Sequence, residues 1–269
     1  MYNIRDWVER FVEEGYSRKN AEARVCQDII LMAIANSSLC RNVTIKGGVV
    51  MRSVTGNIRR ATQDIDIDFI RYSLEDESIK RFIQRMNCVD GITIQSVGAF
   101  EELSQQEYHG KRVDVIIRDL FGNVVKSKID LGVHKQLQIE QEEYCFDVCI
   151  QEDGAGLLIN SMEQMLAEKL RSLLKFGFFS TRFKDVFDIM YLKDLVSVSE
   201  LKKCLAVYIY EDSGMRENDI FDIRNRLRSI FDNKRYIENV KKSDKNWLEI
   251  PIEEVVEGIC AFFDGKELE

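Results

Sequence analysis

The chain has 269 residues, 45% of them hydrophobic and 31% charged, with a formal net charge of −8 and a pI near 5.1. That length supports one large domain or two small ones, and the acidic balance excludes a broad nonspecific nucleic-acid surface while leaving room for a local one. No run of about 18 apolar residues predicts a membrane span; scattered cysteines, odd in number, and an N-terminus lacking an apolar signal core predict a cytoplasmic location.

In chain order, two helices are expected first, Ile4–Glu14 and roughly Arg18–Ala35, with Gly15 after the first and Ser17 as N-cap of the second. Val43-Thr44-Ile45-Lys46 is a short strand running into Gly47-Gly48 and the apolar Val49-Val50-Met51. A strand entering a glycine pair and a helix is suited to cradling phosphates, because glycine admits close backbone approach and helix N-termini offer free N–H groups. Arg52, Arg59 and Arg60 follow.

Asp64-Ile65-Asp66-Ile67-Asp68-Phe69 then alternates acid and apolar side chains. Period two is strand spacing, so the three aspartates share one face, an odd choice given the poor strand propensity of aspartate. Same-face neighbours roughly 7 Å apart would repel by about 2.4 kcal/mol at an effective dielectric of ~20, and by about 0.6 kcal/mol in bulk water. Either water screens this face or a cation sits on it. Phosphate cradle, cations and paired carboxylates for Mg²⁺ are together what nucleotide chemistry requires.

A helix near Leu74–Met86 and an extended segment near Ile92–Val97 come next. Lys111–Arg118 and Val124–Val133 flank Phe121-Gly122-Asn123, a hairpin signal. Asp114 and Asp130 compete for a third strand carboxylate, and spacing favours neither. Tyr144–Ile150 is extended, with Cys145 and Cys149 on one face, but no second pair completes a zinc site. With only His109 and His134 as histidines, chemistry falls to carboxylates and lysine. Asp153-Gly154-Ala155-Gly156 is the linker candidate, dividing the chain into residues 1–155 and a helical 156–269.

Ser161-x-x-Gln164 and Ser197-x-x-Glu200 are capping boxes. In the helix Ser161–Phe176, closed by Gly177, Lys169 falls inside the stripe of Met162, Met165, Leu166, Leu170, Leu173 and Leu174, whereas Arg171 and Lys175 fall opposite. A lysine there must snorkel, pair with a buried acid or meet an anion. In the next helix, about Arg182–Leu195, Asp185 lines up with Ile189 and Leu192, while Asp188 projects elsewhere as a solvated acid. Asp185 is a partner for Lys169, a positioning group or a base.

These residues resemble the AbiEii/AbiGii nucleotidyltransferase toxins of type IV toxin–antitoxin and abortive-infection (phage-defence) systems, within the DNA polymerase β-like superfamily. The matching pieces are Ile45-Lys46-Gly47-Gly48, Arg60-Ala61-Thr62-Gln63-Asp64-Ile65-Asp66, Tyr108-His109-Gly110-Lys111-Arg112, Lys128-Ile129-Asp130-Leu131-Gly132, Ala167-Glu168-Lys169-Leu170 and Arg182-Phe183-Lys184-Asp185-Val186-Phe187-Asp188. The resemblance implies an α+β fold, a mixed sheet flanked by helices with a helical C-terminal half. It implies Asp64 and Asp66 as Mg²⁺ ligands, Asp130 over Asp114 as the third acid, Lys169 as the nucleotide-contacting lysine and Asp185 as the later catalytic acid. Lys46, Gly47, Gly48, Arg60, Thr62 and Lys169 are then the nucleotide-binding candidates, Thr62 replacing the hydroxyl that Gly-Ser supplies elsewhere in the superfamily. The implied activity is Mg²⁺-dependent transfer from a nucleoside triphosphate to the 3′ end of tRNA, with a helix-turn-helix antitoxin as cognate partner. A protein acceptor, or a non-catalytic nucleotide-binding module, is the alternative.

Overall fold

The computed structural model describes residues 3–103 and 110–268, which fall into two units, one ending at Asn160 and the other beginning at Ser161. In the first, α1 (Ile4–Glu13) and α2 (Arg18–Ala35) lead into β1 (Val43–Lys46), α3 (Gly47–Thr55), β2 (Asp64–Phe69), α4 (Asp76–Arg85), β3 (Ile92–Leu103), β4 (Gly110–Asp119), β5 (Val124–Val133), β6 (Glu142–Val148) and β7 (Gln151–Ile159). The strands form one mixed sheet in the order β3-β4-β5-β2-β1-β7-β6. β2 runs antiparallel to β1 and parallel to β5, placing the acidic strand at the centre.

The alternation in β2 does what period two requires: Ile65, Ile67 and Phe69 are fully buried, and Phe69 packs edge-on against Tyr72 and Phe82. Helix α2 lies against β5, β6 and β7 and buries residues on most of its circumference, including Asp28. Its start is capped as expected, Ser17 accepting from the Asn20 N–H. α1 docks through its own start, where the Ile4 N–H donates to Asp119 at 2.9 Å, and Asp119 also accepts from the Phe121 and Asn123 N–H groups of the hairpin turn.

Two expectations for this half are corrected. Asp153–Gly156 lies inside β7, paired with β6 and bulged near Phe146, and the division between units falls at Asn160/Ser161. Gly154 serves close packing: a Cβ there would stand 2.7 Å from the Phe146 carbonyl oxygen. Cys149 lies beyond β6, so it does not share a strand face with Cys145.

The second unit is helical: α5 (Met162–Phe176), α6 (Phe183–Leu192), α7 (Val198–Leu205), α8 (Ile220–Phe231), α9 (Lys234–Lys242) and α10 (Ile252–Asp264). Ser161 Oγ caps α5 by accepting from the Gln164 N–H, and Gly177 ends it at φ +53. The apolar stripe of α5 packs against α6 and α7. Ser197 precedes α7 but its hydroxyl faces Ser199 Oγ at 3.0 Å instead of capping, while its N–H donates to Glu163. Arg171 is held at Asp212, not solvated. Among the described residues no helix is long and apolar enough to cross a membrane.

Candidate functional site

Strand register gathers the charged side chains of the first unit into rows. Lys46 of β1 stands opposite Asp66 of β2, Asp66 opposite Asp130 of β5, and Asp130 opposite Arg112 of β4. One step along, Asp64 aligns with Lys128 and Asp114; one step the other way, Thr44 aligns with Asp68 and Gly132. Steps of two keep these rows on one face, so Asp64, Asp66, Asp68, Asp114 and Asp130 share it with Lys46, Arg112 and Lys128.

The repulsion expected along β2 is therefore partly met by the protein's own charges. Lys46 Nζ lies 2.8 Å from Asp68 Oδ1, a buried oxygen that accepts no well-directed hydrogen bond. Arg112 grips Asp130 with Nε and Nη2 at 2.7 Å each and lies 3.9 Å from Asp64. That bidentate bond, followed by the charges of Asp130 and Asp64, holds the guanidinium above its ordinary pKa despite partial desolvation. Asp64 remains open, its side chain 46% exposed.

The glycine turn is built against this row. Gly47 begins α3 at φ +63, and a Cβ there would collide with the Asp66 carboxylate, 2.9 Å from its carbon. A Cβ on Gly48 would lie 2.5 Å from Thr62 Oγ1. The two glycines thus let the N-terminus of a helix lie directly on Asp66 and on the Thr62 hydroxyl. Gly132 makes the equivalent room for Asp68. An oxyanion at this turn would meet N–H groups and the positive end of α3.

Other sequence candidates sit differently. Arg60, at the end of a 3₁₀ turn over Ile58–Arg60, is 3% exposed, and Arg52 is buried as well, which leaves Arg59 as the surface cation of that segment. Asp130 is in register with Asp66, yet both its oxygens are taken by Arg112. Among the described residues no three His, Cys, Asp or Glu side chains cluster as a metal site. Asp64 and Asp66, two apart on β2, carry hard oxygen donors on one face, the donor type Mg²⁺ takes. Tyr108 and His109 lie outside the described residues.

In the second unit Lys169 reaches from α5 to two acids of α6. Its Nζ is 3.0 Å from Asp185 Oδ1 and 2.6 Å from Asp188 Oδ2. The Trp247 indole N–H donates to Asp188 Oδ1 at 3.0 Å, and Arg182 Nε stands 3.7 Å from Asp185 Oδ2. Asp188, expected as a solvated acid, is 0% exposed. Residues three apart on a helix lie on neighbouring lines of one face, so the position that admits Asp185 to Lys169 admits Asp188 too; that spacing was the missed signal. Burial holds the Tyr236 phenol above its ordinary pKa, and the charge of Asp185 adds to this.

A family model described as nucleotidyl transferase AbiEii toxin, type IV toxin–antitoxin system, matches residues 29–250. No curated protein matches the chain. Among solved structures, the chain is similar to an antigenic nucleotidyltransferase-like protein from Paracoccidioides brasiliensis, at 16% identity and TM-score 0.46 over 82% of this chain and 92% of that one. It is also similar to the antibiotic-resistance factor ANT(2″)-Ia, at 12% identity and TM-score 0.43 over 71% of this chain and 92% of that one.

Proposed function

Since the chain belongs to the AbiEii family of nucleotidyl transferase toxins of type IV toxin–antitoxin systems, and is thereby a nucleotidyltransferase, we propose that it moves a nucleotide from a nucleoside triphosphate to the 3′-terminal hydroxyl of tRNA in a Mg²⁺-dependent reaction. The packing of Gly47 directly on Asp66 supports this proposal, because a glycine turn at a helix N-terminus then lies against a carboxylate of the acidic strand.

The Gly47–Gly48 N–H groups and the Thr62 hydroxyl take the triphosphate. Asp64 and Asp66 hold Mg²⁺, which when bound neutralises phosphate charge. In the second unit Lys169 is the nucleotide-contacting lysine and Asp185 the acid that positions the acceptor. The acceptor oxygen bonds to the α-phosphorus as the bond from that phosphorus to the β-phosphate oxygen breaks. Pyrophosphate leaves, and the hydroxyl proton passes to a carboxylate or to water. Asp130, saturated by Arg112, serves by fixing that guanidinium beside Asp64. Lys46 acts likewise, balancing Asp68 beneath the site. A cognate antitoxin of helix-turn-helix type completes the system.

Incubating the purified chain with α-labelled nucleoside triphosphates, Mg²⁺ and total tRNA tests this. Label in RNA is the expected result. Label in protein would move the acceptor to a polypeptide, and bound nucleotide without transfer would reduce the chain to a binding module.

A further inference from the structure

Apart from the acidic face, the first unit contains a cavity of about 610 Å³ that the proposed reaction does not use. Its walls come from the end of α1 and the turn after it (Arg10, Phe11, Tyr16), from Arg24 of α2, from Arg52 and Ser53 of α3, and from the β6–β7 hairpin. The size suits a mononucleotide or smaller metabolite.

At its floor Arg24 and Arg52 both approach Asp28, which is fully buried and already committed: Arg24 Nε lies 3.0 Å from Oδ1, and the Cys149 N–H donates to Oδ2 at 3.1 Å. Arg52 reaches it only through Nη2, at 3.5 Å. Arg52 is 2% exposed, yet its Nε and Nη1 have no hydrogen-bond partner. A buried donor left unpaired is costly, and a planar guanidinium edge is the natural partner of a tetrahedral oxyanion.

We propose that this cavity binds a small phosphate-bearing molecule, with its phosphoryl oxygens on Arg52 and Arg24 and its remainder against Phe11, Tyr16 and Tyr144. The rim sets an upper limit on charge. Glu14, Asp147 and Glu152 line it in exposed positions, Glu14 paired with Arg10 at 3.0 Å. Exposed acids are screened well enough to admit one phosphate to the floor, but they oppose a polyanion such as RNA. The site is distinct from the triphosphate turn, although α3 starts at one and carries Arg52 to the other.

The test is a titration of the full chain with inorganic phosphate at constant ionic strength, with chloride as the reference anion, following arginine Nε–Hε resonances by NMR. A saturable shift of the Arg52 resonance is expected. Ser53→Trp and Gln151→Trp, each placing an indole in the cavity, should weaken it about tenfold or more. An Arg52 resonance that does not respond while others do, or a folded tryptophan variant that binds like the wild type, overturns the proposal. Should neither tryptophan variant fold, the wild-type Arg52 resonance decides alone.

Discussion

Arg112 holds both oxygens of Asp130, Nε to Oδ1 and Nη2 to Oδ2, in a parallel fork between neighbouring strands. The third acid of the sheet face therefore acts as an anchor for a cation. Arg112→Met should destabilise the fold by about 2 kcal/mol in urea unfolding, less than for a fully buried pair because the arginine is partly solvated. Asp130→Asn should reduce transfer only partly by loosening Arg112, whereas Asp66→Asn should abolish it. Equal losses from the two would place Asp130 at the chemistry itself.

Gly47→Ala tests the close approach of the turn to Asp66. Alanine at φ +63 costs about 1–2 kcal/mol from backbone strain, and its methyl group must displace the Asp66 carboxylate. A displacement of about 1 Å is enough to lower turnover roughly a hundredfold. The expected outcome is a chain with a modestly lower melting temperature and almost no transfer activity.

Lys169 neutralises two acids at once. Lys169→Met leaves the buried Asp188 without its cation, and Asp185 with Arg182 at 3.7 Å, and should cost about 3–5 kcal/mol. Adding Asp188→Asn should restore part of that loss. Trp247→Phe, which removes the indole donor to Asp188, should cost about 2 kcal/mol. A double-mutant cycle on Lys169 and Asp188 measures the coupling.

Burial raises the Asp28 pKa from its ordinary 3.8 to about 6, against the opposing pull of Arg24 and the Cys149 hydrogen bonds. Between about pH 4 and 6 the folded chain keeps a proton that the unfolded chain has released. The contribution of Asp28 to stability must then fall as pH rises through that window and level off above it. Unfolding free energies of the wild type and Asp28→Asn, measured from pH 4 to 7, should show this as a difference that is largest in slope below pH 6.

Much of this was legible because its signals are local. The Asp64–Phe69 alternation, the Gly47–Gly48 turn and the Ser161 cap are each set by a few neighbouring residues, and each stands as the spacing requires. What escaped depended on distant partners. The fate of Asp130 turns on Arg112 one strand away, and that of Asp188 on Trp247, 59 residues later. β7 was hidden because its glycines imitate a linker, whereas packing against β6 is what demands Gly154. Arg60 carried no sign of burial, since arginine usually stays in water.

The central claim is that Asp64 and Asp66, beside the glycine turn, hold the metal that accompanies the nucleotide. The most direct measurement is the affinity of the chain for a nucleoside triphosphate with and without Mg²⁺, in the wild type and in Asp64→Asn/Asp66→Asn. The account predicts that Mg²⁺ tightens binding to the wild type and has no such effect on the double variant. Equal tightening in both would contradict it.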